Sequence, residues 1–289
     1  MKRLMSTLGA VAARAGLTGP ALLDLADRLA PGGPRIRRRV AGAAYGPAPR
    51  QRLDLWRAAG ARGPQPVLVF FYGGGWSAGE RRHYGFAARA FAALGFTVVV
   101  PDYRLVPAIH FPAFVEDAAA ALRWVADHAA AHGGDPARIL LAGHSAGAHI
   151  AALVALDPGY AQAAGIEPRS IRGVAGLAGP YDFFPFDVPA SIAAFGRAPD
   201  PRLTQPIHFA RRDAPPLWLA TGTADTVVRP RNSQALVAAL TSAGGSAVYR
   251  DYAGLDHAGI VMALAKPFRA RAPVLAESAA FLMRAAFAD

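Results

Sequence analysis

The chain has no cysteine among its 289 residues, which excludes disulfide bonds and thiolate metal sites. Lysine is almost absent as well, since only Lys2 and Lys266 occur and arginine carries nearly all of the positive charge. The sequence also lacks an uninterrupted apolar run long enough to span a bilayer. We therefore expect no stable membrane insertion.

Positive charge exceeds negative charge by 11, with 31 basic and 20 acidic residues. Clustered cations favour binding to phosphates, because neutralising phosphates releases counterions. Here the arginines are scattered among alanines, and the one dense run, residues 35–39, falls in a predicted edge strand. No recognition motif accompanies this run, so we expect no nucleic-acid partner.

The composition indicates one large α/β domain, because 53% of the residues are hydrophobic and a chain of 289 residues buries an ample core. We predict an N-terminal helical segment at residues 1–34 and a single catalytic domain at residues 35–289. The N-terminal segment is expected to pack on the domain or to cap its pocket.

Within the N-terminal segment, residues 4–29 are predicted to form one or two amphipathic helices, separated near Gly19 and Pro20. Docking of this segment on a membrane surface is the alternative. A signal peptide is disfavoured because Arg14 interrupts the apolar stretch and no clear cleavage signature follows. We expect a cytoplasmic location.

Strand-like and helix-like runs alternate from about residue 36 onward, a pattern typical of a mostly parallel sheet with helices on both faces. Strands are predicted at residues 36–41, 52–57, 66–72, 96–100, 139–141, 171–177, 217–220 and 247–252. The first two are expected to form an antiparallel edge. Helices are predicted at residues 82–94, 114–131, 146–156, 232–243 and 274–286.

Residues 181–216 break this alternation, because they are rich in proline and aromatic residues and have no clean period. Loops of this length in a compact domain are usually functional, so we predict a lid-like insertion. Its aromatic residues are predicted to line an acyl or aromatic pocket, although many such residues belong to the core instead. The candidates are Phe183, Phe184, Phe186 and Phe195.

The most informative stretch is residues 143–147, which read Gly-His-Ser-Ala-Gly between an apolar strand and a helix-like run. A strand, a sharp turn and a helix are the arrangement that exposes a serine nucleophile. Side chains at Gly143 and Gly147 would clash across the turn that strains Ser145. A chance match is disfavoured because further motifs follow in the required order, so Ser145 is the predicted nucleophile.

A serine hydroxyl needs a base within hydrogen-bond distance, and that base needs a carboxylate to orient it. In this arrangement the residues follow in the order serine, acid, histidine. His257, after the last strand, is the predicted base, because the other histidines precede the acid, flank the serine or lie in polar helical surroundings. Asp225 is the preferred acid, with Asp251 and Asp256 as alternatives.

Consecutive glycines follow the third predicted strand. Glycine lets backbone N–H groups turn freely toward a ligand, which an oxyanion hole requires. Gly74 and Gly75, with the N–H of Ala146 after the serine, are the predicted donors. The alternative is a merely flexible loop.

These motifs resemble those of the α/β-hydrolase superfamily, and more narrowly of the hormone-sensitive-lipase-like esterases and the arylformamidase-like branch. Those enzymes have a His-Gly-Gly-Gly or His-Gly-Gly-x-Trp loop, then Asp-Tyr-Arg-Leu, then the elbow serine. Here residues 72–76 read Tyr-Gly-Gly-Gly-Trp and residues 102–105 read Asp-Tyr-Arg-Leu. Tyr72 replaces the usual histidine, and His144 stands where many lipase-like members have aspartate.

The resemblance implies a serine hydrolase of small carboxylic esters that acts through an acyl-enzyme, with Trp76 among the substrate-binding residues. No metal and no organic cofactor are expected, because side chains and backbone complete the chemistry. The alternatives are an amidase of the arylformamide type, indicated by Trp76, and a hydrolase-like fold reused as a binding module. The expected partner is a small-molecule ester, and a homodimer is allowed.

Overall fold

The computed structural model of the chain describes residues 18–288, which contain one eight-stranded sheet. The strands are β1 Ile36–Ala44, β2 Arg52–Ala58, β3 Gln65–Phe71, β4 Thr97–Pro101, β5 Gly134–His144, β6 Ile171–Leu177, β7 Leu217–Gly222 and β8 Ala247–Tyr252. They lie in the order β1-β2-β4-β3-β5-β6-β7-β8. All eight predicted strands are present, with β1 and β5 longer than predicted.

The described residues also form nine α-helices. They are α1 Gly19–Leu29, α2 Gly85–Ala92, α3 Ala113–His128, α4 Ala146–Leu156, α5 Pro158–Ala163, α6 Pro189–Phe195, α7 Arg231–Ser242, α8 His257–Met262 and α9 Val274–Ala286. Short 3-10 helices lie at Arg81–His83, Ala129–His132, Pro168–Ser170, Pro201–Thr204, Pro206–Phe209 and Lys266–Arg271. The predicted helix at residues 82–94 is therefore shorter than expected, because its first turn is a separate 3-10 helix.

The sheet is antiparallel at one edge and parallel elsewhere. β1 pairs antiparallel with β2, and β2 pairs antiparallel with β4, whereas every other pair is parallel. β4 is buried at every residue, and β3 at all but its first, as strands covered by helices on both faces should be. The prediction of a mostly parallel α/β-hydrolase sheet with an antiparallel edge is confirmed.

α4 is the most buried helix of the described chain, since all eleven of its residues are inaccessible. It packs on β5 and β6 and against α3 and α5. A helix without a polar face is stable only when it is surrounded in this way. This burial fixes the start of α4, which directly follows Ser145, relative to the end of β5.

α1 begins at Gly19, in agreement with the predicted break near Gly19 and Pro20, while residues 4–17 of the predicted helical segment lie outside the described residues. The Thr18 hydroxyl caps the helix by accepting a hydrogen bond from the N–H of Ala21. Asp24 and Asp27 of α1 both pair with Arg89 of α2. These ion pairs attach the helix to the domain.

Residues 181–216 contain α6 and two of the 3-10 helices and no strand. α6 was not predicted, because a seven-residue helix is too short to give a clear period. The segment follows β6, and the loops after β3, β5, β7 and β8 open at the same edge of the sheet. The predicted nucleophile, base, preferred acid and glycine loop each follow one of these strands.

Candidate active site

Ser145 lies in the tight turn between β5 and α4, with φ 55° and ψ −123°. Non-glycine residues rarely adopt a positive φ, so this is a strained position held by its surroundings. A Cβ added at Gly143 would overlap the backbone of Gly147, and one added at Gly147 would overlap the carbonyl of Phe71. Only glycine fits at either position, which confirms the predicted steric reason for the motif.

Ser145, His257 and Asp225 form one hydrogen-bonded chain. His257 Nε2 lies 2.9 Å from Ser145 Oγ, and His257 Nδ1 lies 2.8 Å from Asp225 Oδ2. Because an ionised carboxylate only accepts hydrogen bonds, Nδ1 carries the proton, and Nε2 presents a lone pair to the hydroxyl. The structure thus brings together the three residues that were predicted from different parts of the sequence.

The carboxylate of Asp225 is held on both of its oxygens. Its Oδ1 accepts hydrogen bonds from the N–H groups of Val227 and Val228, each at 2.9 Å. Burial by itself would raise the pKa of Asp225, but the hydrogen bonds from His257, Val228 and Val227 outweigh it and lower the pKa. Asp225 is therefore ionised and fixed in orientation beside the imidazole.

The two alternative acids have other positions. Asp256 caps α8, since its Oδ1 accepts a hydrogen bond from the N–H of Gly259 at 2.7 Å. Asp251 is exposed on β8. Neither carboxylate forms a hydrogen bond or ion pair with the imidazole of His257, so the geometry favours Asp225.

His144 makes a contact to which the sequence analysis assigned no role. Its Nε2 lies 2.9 Å from the backbone carbonyl of His257, 113 positions further along the chain. Burial, reinforced by the nearby His257, lowers the pKa of His144 to about 3, so the ring is neutral and its N–H donates to the carbonyl. The residue before the serine thereby attaches the loop that carries His257 to the turn.

The glycine loop after β3 has left-handed backbone at two successive positions, with φ 137° at Gly74 and φ 57° at Gly75. The carbonyl of Gly74 accepts hydrogen bonds from the N–H groups of Ser77 and Ala78, which closes a turn. This bonding gives the loop a defined turn, which favours the predicted role over a merely flexible loop.

Three backbone donors near the serine are unused. Within residues 18–288, the N–H groups of Gly74, Gly75 and Ala146 have no hydrogen-bond acceptor. The loop approaches the serine closely, because a Cβ added at Gly73 would lie 3.1 Å from the Cβ of Ser145. These N–H groups are the ones predicted to face an oxyanion.

Tyr72, at the position of the usual histidine, anchors the start of the glycine loop. Its hydroxyl donates to Asp102 Oδ1 at 2.8 Å and accepts from Arg50 Nη2 at 2.9 Å. Its ring stacks between Tyr84 and Tyr103, with centroids 5.2 and 4.8 Å away. Burial raises the pKa of Tyr72, which keeps the phenol neutral and able to donate.

Arg81 links two buried carboxylates beneath this loop. Its Nε lies 3.0 Å from Asp54 Oδ1, its backbone N–H donates to Asp102 Oδ1 at 2.6 Å, and its guanidinium also binds Asp102 Oδ2. Asp54 and Asp102 are 1% and 3% exposed. The sequence analysis missed this network, although an aspartate within or directly after a buried strand is a signal that a cation lies nearby.

The predicted pocket-lining aromatic residues have different environments. Trp76 is 5% exposed and Phe195 is fully buried, with their ring centroids 4.7 Å apart, so Phe195 belongs to the core. Phe183 stacks on Trp76 at 6.0 Å and is partly buried, as is Phe186. Phe184 is 56% exposed and packs on Phe186. The structure therefore brings Trp76 and Phe183 together but leaves Phe184 at the surface.

His149 lies one turn into α4 and is fully buried beside these rings, with its centroid 5.4 Å from that of Trp76. Its Nε2 donates to the carbonyl of Thr204 at 2.8 Å. Burial lowers the pKa of His149 to about 4, so the ring is neutral. This histidine is therefore bonded to residue 204 and not to Ser145.

Residues 18–288 contain no group of three or more histidine, aspartate or glutamate side chains placed to hold a metal ion. No helix in that part of the chain is both long and apolar enough to cross a membrane.

Comparisons with known proteins find a matching family and similar esterases. The BD-FAE family model matches residues 53–240. Esterase LipC of Mycobacterium tuberculosis is 33% identical over 241 residues, which cover 76% of this chain. Esterase LipQ of the same organism is 32% identical over 249 residues, which cover 78% of this chain. The matched regions span only 59% and 58% of the lengths of these two relatives.

Solved structures of esterases have the same fold. A truncated carbohydrate esterase from gut microbiota is 20% identical, with a TM-score of 0.76 over 89% of this chain and 100% of that one. An esterase of Pyrobaculum calidifontis is 25% identical, with a TM-score of 0.73 over 93% of this chain and 91% of that one.

Proposed function

Because the chain belongs to the BD-FAE family of α/β hydrolases, we propose that it is a serine carboxylesterase that cleaves small carboxylic esters. The observation that carries the proposal is the hydrogen-bonded chain from Ser145 through His257 to Asp225, with the serine in a strained, glycine-flanked turn. The curated relatives LipC and LipQ are named esterases, which supports the same chemistry.

In the proposed reaction, His257 Nε2 takes the proton of Ser145 as the serine Oγ attacks the acyl carbonyl carbon. The developing oxyanion accepts hydrogen bonds from the unused N–H groups of Gly74, Gly75 and Ala146. Asp225 keeps the imidazole in the required tautomer and stabilises the imidazolium. These roles need no group beyond the side chains and backbone of the chain.

The tetrahedral intermediate collapses when the alcohol leaves with the proton held by His257, and an acyl-enzyme on Ser145 remains. Water then loses a proton to His257 and attacks the acyl carbon. The second intermediate releases the carboxylic acid and returns the proton to Ser145 Oγ. One ester and one water thus give one acid and one alcohol.

A small acyl group suits the surroundings of the proposed oxyanion donors. Trp76 directly follows Gly75, and its ring is buried against Phe195 and His149. A long acyl chain directed toward these rings would have to displace close-packed side chains, which is unfavourable. We therefore propose that hydrolysis is fastest for short acyl groups.

The test is a series of p-nitrophenyl esters of increasing acyl length, measured beside an N-formyl aromatic amide with wild-type protein and Ser145→Ala. We expect turnover to peak at short esters and to fall at least about 10⁴-fold in the variant, because the nucleophile is lost while binding remains. The variant His128→Ala, a surface change, is the control.

A preference of the wild-type protein for the formamide would contradict the ester assignment, and unchanged turnover in Ser145→Ala would contradict the nucleophile. The homodimer and the cytoplasmic location stay predictions.

A further inference from the structure

Three arginines meet in a surface hollow where β1 and β2 pair. Arg37 of β1 lies directly opposite Arg57 of β2 in the register. Arg38 pairs with Trp56 and Val40 pairs with Leu55, which leaves Arg39 without a partner on β2. Arg39 is therefore the extra residue of a β-bulge. All three arginines line a hollow of about 250 Å³, here named the arginine hollow, together with residues 58–61.

The charge of the arginine hollow has no counterpart in the described part of the chain. No carboxylate there lies within ion-pair distance of Arg37, Arg39 or Arg57, and no acidic residue lines the hollow. Arg57 is held in place by neutral acceptors, since it donates to the side-chain oxygen of Gln65 and to the carbonyl of Gly63. The three guanidinium groups therefore repel one another without compensation.

A second arginine-lined hollow in the molecule is largely compensated by acidic residues. It is larger, about 890 Å³, and is lined by Arg169, Arg172 and Arg211. Glu167 and Asp213 line it as well, and Arg211 pairs with Asp213 at 2.8 Å. The arginine hollow thus differs from this second hollow, because no acidic residue lines it.

Protection of the sheet edge explains only part of this arrangement. Charged side chains on an edge strand discourage pairing with another chain, which accounts for exposed arginines on β1. Arg57, however, belongs to β2, which is the second strand of the sheet and not its edge. Like charges directly opposite each other on paired strands are destabilising, so the position of Arg57 beside Arg37 calls for another explanation.

The arginine hollow is separate from the site around Ser145. β2 runs antiparallel to β4, with Leu53 opposite Pro101 and Trp56 opposite Val98. The end of β2 therefore lies at the amino ends of the parallel strands, whereas Ser145 follows the carboxyl end of β5. A ligand in the hollow would leave the proposed esterase site open.

We propose that the arginine hollow binds a phosphate-type dianion, either free or as a phosphate group of a larger molecule. The planar guanidinium group matches the spacing of phosphate oxygens and binds them through paired N–H donors. Three such groups around one concave surface provide both the charge and the donors, and a bound dianion removes their mutual repulsion. The hollow is the size of a phosphate with part of the molecule that carries it.

The test is the binding of inorganic phosphate, measured by calorimetry and by thermal shift. Sodium chloride keeps the ionic strength constant throughout. The wild-type protein is compared with the double variant Arg37→Gln/Arg39→Gln. The matched control is Arg169→Gln/Arg172→Gln, which removes the same charge from the compensated hollow. We expect saturable binding to the wild type, weakened at least tenfold in the first variant and less than twofold in the control.

Equal phosphate binding by both double variants, or no saturable binding by the wild type, would overturn the proposal. Hydrolysis of p-nitrophenyl acetate shows that Arg37→Gln/Arg39→Gln is folded, and its rate should equal that of the wild type. Vesicles that contain phosphatidic acid, a phosphomonoester, are compared with vesicles of phosphatidylcholine alone to distinguish the sources of phosphate. Vesicle binding that inorganic phosphate displaces identifies a lipid headgroup, whereas phosphate binding without vesicle binding identifies a free phosphate.

Discussion

The two ends of the sheet differ in whether their charged side chains are paired. Around the site, Asp225 faces His257, and Arg81 lies between Asp54 and Asp102. At the other end, the arginine hollow contains three cations and no carboxylate. The difference follows from burial, because a buried charge without a partner is strongly unfavourable, whereas water screens charges in an open hollow. The unpaired charge of the arginine hollow is thus tolerated because it is exposed, and a ligand can reach it for the same reason.

The paired charges near the site support the backbone on which the proposed chemistry depends. Asp102 binds both Arg81 and the hydroxyl of Tyr72, and Tyr72 directly precedes the glycine loop. A displacement of this network would therefore move the proposed oxyanion donors. The paired charges at this end of the sheet therefore position the backbone as well as neutralising each other.

The largest expected effect is the loss of kcat when the pairing of Asp225 with His257 is broken. Asp225→Asn should lower kcat by about 10⁴-fold, because the amide places a donor against Nδ1 and favours the wrong tautomer. Steady-state kinetics on p-nitrophenyl acetate measure the effect. Asp256→Asn is the matched control, since it changes a carboxylate next to His257 that only caps α8. A larger loss in the control would assign the acid role to Asp256.

A smaller effect is expected from breaking the network under the glycine loop. Asp102→Asn should lower the free energy of unfolding by about 3 kcal/mol, because Arg81 loses a buried ionic partner. Urea unfolding measures the change. Asp127→Asn, which breaks the solvent-exposed pair with Arg123, should change the free energy by less than about 0.5 kcal/mol. Similar values for the two variants would contradict the contrast between buried and exposed charge.

The smallest expected effect is a gain in stability. Arg37→Gln should raise the free energy of unfolding by about 0.2–1 kcal/mol at low salt, because it relieves repulsion from Arg57. Added salt should reduce this gain, since it screens the repulsion in the wild type. Arg38→Gln, one residue further on, should lower the free energy by up to about 1 kcal/mol, because Arg38 pairs with Asp54. A loss of stability in Arg37→Gln would contradict uncompensated repulsion in the hollow.

Sequence reasoning succeeded where the signal was local. The buried strands are continuous apolar runs, and Ser145, Asp225 and His257 follow strand ends in a fixed order, so their meeting could be inferred from chain order and from their positions after the strands. The contact from His144 to the carbonyl of His257 could not be inferred, because its partner is distant in sequence and is a backbone atom that every residue has.

Other features depend on the register or on short elements. The opposition of Arg37 and Arg57 depends on the pairing of β1 with β2 and on a bulge, neither of which the composition of the strands determines. The helices α5, α6 and α8 have six or seven residues, too few to give a clear period. Tertiary contacts fix these features.

The hydrogen bond from His144 also affects how the site moves. Ser145 adjoins His144 in the chain, and the backbone carbonyl of His257 is held by the His144 ring. We therefore expect a displacement of the turn to be shared by the histidine loop, which limits the change in the distance between Oγ and Nε2.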